Sequence, residues 1–375
     1  MSSMYEALVE KVQRRLAERP GAAAADIAQL VREEAGVISD VDVLGVLRKL
    51  RNDSTGAGIL EQVLAIEGVT DVVVNGPDSI WFDRGQGLQK AGLRFDSDDE
   101  VRQLATRLAV ACGRRLDDAQ PFADGRLRRD DDSSIRVHAL LSPPADGGTC
   151  LSLRVLRQAV TTLDGLVDRG TMPSDIADTL TGIVESKKAF LVVGGTGSGK
   201  TTLLGAMLAA IGHNERIICI EDTPELHPPH PHVVNLVSRT NNVEGQGQIT
   251  MSDLLKQALR MRPDRIIVGE IRGAEVVDLL AALNTGHEGG AGTIHANSLM
   301  EIPARMEALA ALGGLDRAAL HSQLSAAIRV VLAMRRTPHG RILHQIGVLE
   351  GNPVRTRVLW QSDLGPQPGF EELAS

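Results

Sequence analysis

The sequence predicts an α/β chain: a helix-covered parallel sheet in its second half, preceded by a smaller α+β domain and, before that, a helical segment. Three observations carry this expectation. From Ser174 onward, continuous apolar runs at 190–193, 217–220 and 266–268 alternate with helical patterns, as in strands buried on both faces. Within residues 56–157 the strands are shorter, alternate apolar with polar residues and are punctuated by turn signals. Residues 4–52 show helical periodicity alone.

The elements follow in order. Tyr5, Leu8, Val9, Val12 and Leu16 share one helical face that ends at Pro20 and Gly21. Asp26 is placed to cap a second helix with Ile27, Leu30 and Val31, and Asp40 a third with Val43, Leu44, Leu47 and Leu50. Residues 52–58 read as a linker. Strands are expected at 69–75, 80–82, 135–141 and 151–156, with a turn at Asn75, Gly76, Pro77 and Asp78 and a helix over 98–112. Residues 158–173 read as a connection. Beyond Ser174 come helix, strand, glycine loop, helix, strand, loop, a helix over 251–262, strand, helix and strand. The stretch after Gly351 is polar and shows no firm element. The divisions expected are therefore 1–55, 56–157, 158–173, 174–350 and 351–375.

A chain of 375 residues exceeds one ordinary core and predicts two domains. Its formal net charge of −8, with five Phe, two Trp and one Tyr, argues against a nucleic-acid partner and a base-stacking surface. Cys112, Cys150 and Cys219 form no CxxC pair and read as reduced thiols of a cytosolic protein. No apolar stretch approaches a membrane span and the start carries no secretory h-region, so any membrane role is expected to come through a partner.

Gly194, Gly195, Thr196, Gly197, Ser198, Gly199, Lys200, Thr201 and Thr202 lie between an apolar run and a helical pattern. That is the strand, glycine loop and helix order of a phosphate-binding P-loop. Glycines let backbone N–H groups turn toward phosphate oxygens, and the helix N-terminus faces the same anion. Lys200 would reach the β- and γ-phosphates of a nucleoside triphosphate, and the Thr201 hydroxyl would hold Mg²⁺. Glu270, at the carboxyl end of an apolar strand, is placed to orient or deprotonate water, with Gly269 where an Asp is usual. Glu221, Asp222 and Glu225 follow the preceding strand, and a bound Mg²⁺–triphosphate would offset their mutual repulsion. Which of the three faces the nucleotide is open at this point. His287 and His295 flank a glycine-rich loop; neutral histidines there can donate to a phosphate. Two His eight positions apart without Cys make a poor zinc set, and His227, His230 and His232 read as a rigid loop.

These boxes, in this order and spacing, resemble the secretion ATPase superfamily: type II and type IV secretion ATPases and pilus motors. The run from Leu259 to Gly273, the groups Asn284 to His287 and Thr293 to Ser298, and Asp71 to Gly76 most resemble the tight-adherence (Flp-type) pilus branch, over about residues 56–350. The resemblance implies a homohexameric ring in which a PAS-like N-terminal domain closes over a RecA-like domain. It also implies ATP as fuel, an inner-membrane platform protein as partner, and a cytoplasmic location at the inner face of the membrane. Arg136 and Arg154 match the N-terminal-domain arginines that reach the γ-phosphate, with Arg239, Arg260 and Arg272 as weaker candidates for a contact to the neighbouring subunit. Two departures are visible: Asp131, Asp132, Ser133 and Ser134 precede Ile135 and Arg136 where the family has Asp-Gly-Ser-Arg, and Gly290, Ala291 and Gly292 stand where a Ser-Leu-Ser-like trio is usual, which predicts a more flexible box. A RecA-like nucleic-acid translocase and a non-hydrolysing nucleotide switch are the alternatives; the acidic charge opposes the first and Glu270 the second.

Overall fold

The computed structural model describes residues 56–129, 133–156, 161–239, 241 and 246–373. The helices expected within residues 1–55 lie outside the described residues. The chain divides into two compact units, Met1–Arg157 and Gln158–Ser375.

In the first unit, α1 (Glu61–Leu64) leads into β1 (Asp71–Asn75), β2 (Ile80–Asp83) and β3 (Leu88–Lys90). Helix α2 (Asp98–Ala111) precedes β4 (Phe122–Arg128), β5 (Ser134–Leu140) and β6 (Cys150–Leu156). They make a six-stranded antiparallel sheet in the order β3-β2-β1-β6-β5-β4. Val72, Val74, Val137, Leu151 and Leu153 pack with Val101, Leu104 and Leu108 of α2 in one core. Ser97 caps α2, its hydroxyl accepting from the Glu100 N–H. Strand β4 was not foreseen, because its sequence is half charged and carries a glycine. Gly125 is needed there: a Cβ would sit 2.3 Å from that of Cys112, just past the end of α2.

The second unit opens with α3 (Leu163–Asp168) and α4 (Ser174–Glu185), then β7 (Phe190–Val193), α5 (Lys200–Ala209), β8 (Ile217–Glu221) and β9 (Val233–Val237). Next come α6 (Met251–Ala258), β10 (Arg265–Ile271), α7 (Glu275–Asn284) and β11 (Ala291–Ile294). Helices α8 (Ile302–Leu312) and α9 (Arg317–Ala327) lead to β12 (Val330–Thr337), β13 (Gly340–Glu350), β14 (Arg355–Gln361) and β15 (Gly365–Pro366). The nine strands run β15-β14-β13-β12-β7-β11-β10-β8-β9.

The sheet is mixed rather than wholly parallel. From β12 to β9 all pairs are parallel, and from β12 outward to β15 all are antiparallel. Its parallel strands are buried on both faces. Leu191, Val193, Ile218, Ile220, Ile266 and Val268 face α6 to α9. Phe190, Val192, Ile217, Cys219 and Ile267 face α3 to α5.

Three expectations change here. The connection expected over 158–173 contains α3, capped by Thr162 and buried through Leu163 and Leu166. The stretch after Gly351 is structured: β14 opens on the polar Arg355, Thr356 and Arg357 and buries Leu359 and Trp360, so its polar first half hides the strand. Helix α6 stops at Ala258, short of the expected 262, and Arg262 takes φ 53 just before Pro263.

Candidate nucleotide-binding site

Between the end of β7 and the start of α5, the loop 194–199 turns sharply. Gly194 has φ 154, and a Cβ there would lie 2.4 Å from Ser198 Oγ and 2.5 Å from the Met334 carbonyl. Gly199, at φ 97, is the N-cap of α5. Lys200 is buried at the first turn, and its Nζ donates to the carbonyls of Gly194 (3.0 Å) and Gly195 (3.1 Å). Thr201 is half-buried, while Thr196 and Thr202 are exposed. The Ser198 hydroxyl is buried without a hydrogen-bond partner among the described residues. Close-approach glycines, a lysine, an unpaired hydroxyl and a helix N-terminus together fit a polyphosphate. Among the described residues no group of three or more His, Cys, Asp or Glu could hold a metal ion; the half-buried Thr201 hydroxyl is the side chain here that could share Mg²⁺ with phosphate oxygens.

Glu270 reaches the same edge of the sheet through a bulge. Val268 pairs with Gly292 but Ile271 with Ile294, so β10 carries one extra residue between them. The Thr293 hydroxyl donates to the Gly269 carbonyl at 2.6 Å, occupying a group that the bulge frees from the ladder. The Glu270 carboxylate then meets Arg272 Nη2 at 2.6 Å and His295 Nε2 at 3.1 Å. His295 Nε2 also lies 3.4 Å from Lys200 Nζ. One ring nitrogen cannot donate to Glu270 and accept from Lys200 together; the hydrogen bond at Nε2 is the one from Lys200, and the Glu270 carboxylate stands beside it as a close charge neighbour. Burial raises the Glu270 carboxyl, but the hydrogen bond and charge of Arg272, with His295 and Lys200, outweigh it and hold the group below its ordinary value. Burial and the Lys200 charge lower the His295 imidazole, which favours the neutral ring at pH 7.

The acidic box divides its labour. Glu221, at the end of β8, is buried, and its Oε1 accepts the N–H groups of Glu225 (3.0 Å) and Leu226 (3.1 Å). Its carboxylate is therefore spent on ordering the loop rather than on a nucleotide. Burial pushes its pKa up to about 7. Gly269 is explained by the same contact: a Cβ there would lie 2.6 Å from Glu221 Cγ, so the neighbouring strand's Glu fills the space where an Asp is usual. Asp222 bonds Arg272 at 2.5 Å; Glu225 is exposed.

The two histidines are not brought together. His295 follows β11 on the P-loop edge, whereas His287 precedes the same four-residue strand, on the opposite edge and about 13 Å away along the sheet. There His287 Nδ1 lies 3.3 Å from the Ala282 carbonyl. The glycines of this box are packed, not flexible: a Cβ on Gly289 would lie 1.9 Å from Arg265 Nη1, and one on Gly290 2.4 Å from Leu283 Cδ2. Arg265 is itself buried, forked onto Glu215 at 2.9 and 3.1 Å.

In the first unit Arg136 and Arg154 are direct cross-strand partners, and Arg126 continues the row on β4. Arg336 and Arg341 of the β12–β13 hairpin stand beside the glycine loop. Arg341 Nε donates to the Gly197 carbonyl at 2.8 Å, and a Cβ on Gly197 would lie 3.8 Å from Arg336 Nη1. No local motif marks the hairpin; the cross-strand spacing of the Arg row was hidden because β4 was not read as a strand. Arg239 Nε donates to the Gly247 carbonyl at 2.7 Å and Arg260 is exposed.

A glycine loop at the carboxyl end of a central parallel strand, with a buried lysine opening the next helix, defines a P-loop nucleotide-binding protein. The family model "Type II/IV secretion system protein" matches residues 53–342, and the chain belongs to that family. A putative conjugal transfer protein of Mycobacterium tuberculosis is 57% identical over 335 residues, 88% of this chain and 95% of its own length. The conjugal transfer protein TrbB of Rhizobium radiobacter is 31% identical, over 76% of this chain and 84% of its own. The fold is also that of the pilus retraction motor PilT, solved with bound ADP: TM-score 0.57 at 22% identity, covering 84% of this chain and 85% of that one.

Proposed function

We propose that this chain is a motor ATPase that powers pilus assembly or protein secretion, working as a homohexamer at the inner face of a membrane. The observation that carries the reading is Glu270, which the bulge sets beside His295 and Lys200 at the P-loop edge. Lys200 and the loop N–H groups hold the β- and γ-phosphates of ATP. Glu270 takes a proton from water as its oxygen bonds the γ-phosphorus; the bond to the β–γ bridging oxygen breaks, and its electron pair leaves with ADP. His295, neutral, accepts from Lys200 through Nε2 and stands 3.1 Å from the Glu270 carboxylate. Thr201 would hold Mg²⁺, which would supply positive charge to the phosphates.

Arg136 and Arg154 are proposed as the cations that reach the γ-phosphate, as the family resemblance implies. Like charges directly opposite in a sheet are destabilising, and an entering γ-phosphate relieves that repulsion. The proposal includes contact with an inner-membrane platform protein, as the family resemblance implies; no helix among the described residues is long and apolar enough to cross a membrane. The family and the motifs in the Walker B and His boxes support a secretion or pilus machine. Within it we place the chain in the tight-adherence branch on those motifs; the named relatives above carry conjugal transfer names instead.

Glu270→Gln tests the reading. It should bind ATP and turn it over roughly 10²-fold more slowly, the scale of removing a general base. Wild-type turnover in this variant refutes the assignment, and turnover dependent on added DNA would favour a translocase.

A further inference from the structure

We propose that Arg272 is the positioning residue for Glu270 and is itself held by Asp222, so that the acidic loop sets where the carboxylate stands. The proposal rests on the reading of Glu270 as general base. The guanidinium spans two strand ends with separate nitrogens: Nη2 on Glu270 Oε2 at 2.6 Å and Nη1 on Asp222 Oδ2 at 2.5 Å. Its backbone is anchored as well. The N–H groups of Arg272 and Gly273 donate to Glu275 Oε1 at 2.6 and 2.8 Å, and Glu275 is buried.

The far end of the tether is equally fixed. Asp222 follows Glu221, whose buried carboxylate holds the next residues of the loop by their N–H groups. Glu221 in turn occupies the space beside Gly269 that a side chain would fill. A closed circuit results: Gly269 admits Glu221, Glu221 orders the loop, Asp222 holds Arg272, and Arg272 holds Glu270, the residue next to Gly269. His295 Nε2 stands 3.1 Å from the other carboxylate oxygen. A planar fork is needed to bridge two carboxylates at fixed angles, which a lysine's point charge does not do. Arg272 therefore acts on the base of its own chain.

The test is steady-state turnover and ATP binding of the full chain carrying Arg272→Gln, Arg272→Lys, Asp222→Asn, the Arg272→Gln/Asp222→Asn pair, and Glu270→Gln. Arg272→Gln should lower kcat by roughly 10- to 100-fold, the scale of a misplaced catalytic group, with ATP affinity within about 2-fold of wild type. Arg272→Lys should stay near Arg272→Gln. Asp222→Asn should lower kcat by a smaller factor and add nothing in the Arg272→Gln background, because both act through one contact. A kcat unchanged in Arg272→Gln, or effects of the two variants that multiply, overturns the proposal. Loss of ATP binding in Arg272→Gln also overturns it, by making Arg272 a phosphate ligand. Should Arg272→Gln not fold, Asp222→Asn decides: a wild-type kcat there is negative. Glu270→Gln separates the two levels. Slow turnover in Glu270→Gln with normal turnover in Arg272→Gln fails the positioning role alone, whereas normal turnover in Glu270→Gln fails the general-base reading and this proposal with it.

Discussion

Gly269→Ala is the substitution whose cost can be worked most directly from the structure. The added Cβ would stand 2.6 Å from Glu221 Cγ and 3.0 Å from its Oε1, well inside ordinary contact. Glu221 has little room to yield, since it is buried and paired with Val237 of β9. Overpacking of this kind costs about 1–3 kcal/mol. Pushing Glu221 aside also weakens its bonds to the Glu225 and Leu226 N–H groups, each worth about 1 kcal/mol. The sum, about 2–4 kcal/mol, should lower Tm by roughly 5–12 °C for a domain of this size. The assay is thermal unfolding of the full chain in wild-type and Glu221→Ala backgrounds. With Cγ gone the clash disappears, so the same Gly269→Ala should cost less than about 1 kcal/mol there, a coupling typical of touching residues. A Tm within about 1 °C of wild type, or an equal drop in both backgrounds, would refute the packing argument.

Lys200→Ala should abolish turnover, because the charge positioned on the β- and γ-phosphates is lost; turnover at the wild-type rate would sink the P-loop assignment. The Glu221 carboxyl, raised by burial to about 7 in the folded chain, keeps its proton while the unfolded chain ionises. Stability is therefore lost as pH rises from the ordinary carboxylate range through about 7, by roughly 2–3 kcal/mol. Glu221→Gln keeps an acceptor for both N–H groups and cannot ionise, so its Tm relative to wild type should climb between pH 5 and pH 8; a constant difference contradicts the buried carboxyl. Arg136→Ala or Arg154→Ala should cut turnover by roughly 10³-fold if either supplies the transition-state cation, with ATP binding retained and specific activity rising with protein concentration as rings form. A monomer fully active at every dilution, seen by light scattering, argues against that assembly.

What the sequence exposed at the site was local chemistry in contiguous boxes. The loop from Gly194 to Thr202 could be placed because strand, glycines and helix are written within a few residues of one another. Glu270 could be placed because an apolar run ends on it. The structure altered the roles of residues whose partners are distant in sequence. His287 and His295 look like a pair until β11 is seen to separate them by its own length. Glu221 looks like its acidic neighbours until burial beside Gly269 is seen. Arg341 carried no signal, because its contact to Gly197 spans most of the second unit's length.

By itself, then, the sequence determined the alternation of helices with doubly buried strands, the phosphate loop and the carboxylate at the end of the next apolar strand but one. These rest on periodicity, glycine conformation and residue chemistry, which act over a few residues. The tertiary structure alone decided that the sheet continues antiparallel through β14, that a bulge aims Glu270, and that Asp222 and Arg272 brace it. Strand order and register bring together side chains fifty residues apart, and the packing that fixes them acts between surfaces whose adjacency no local pattern records.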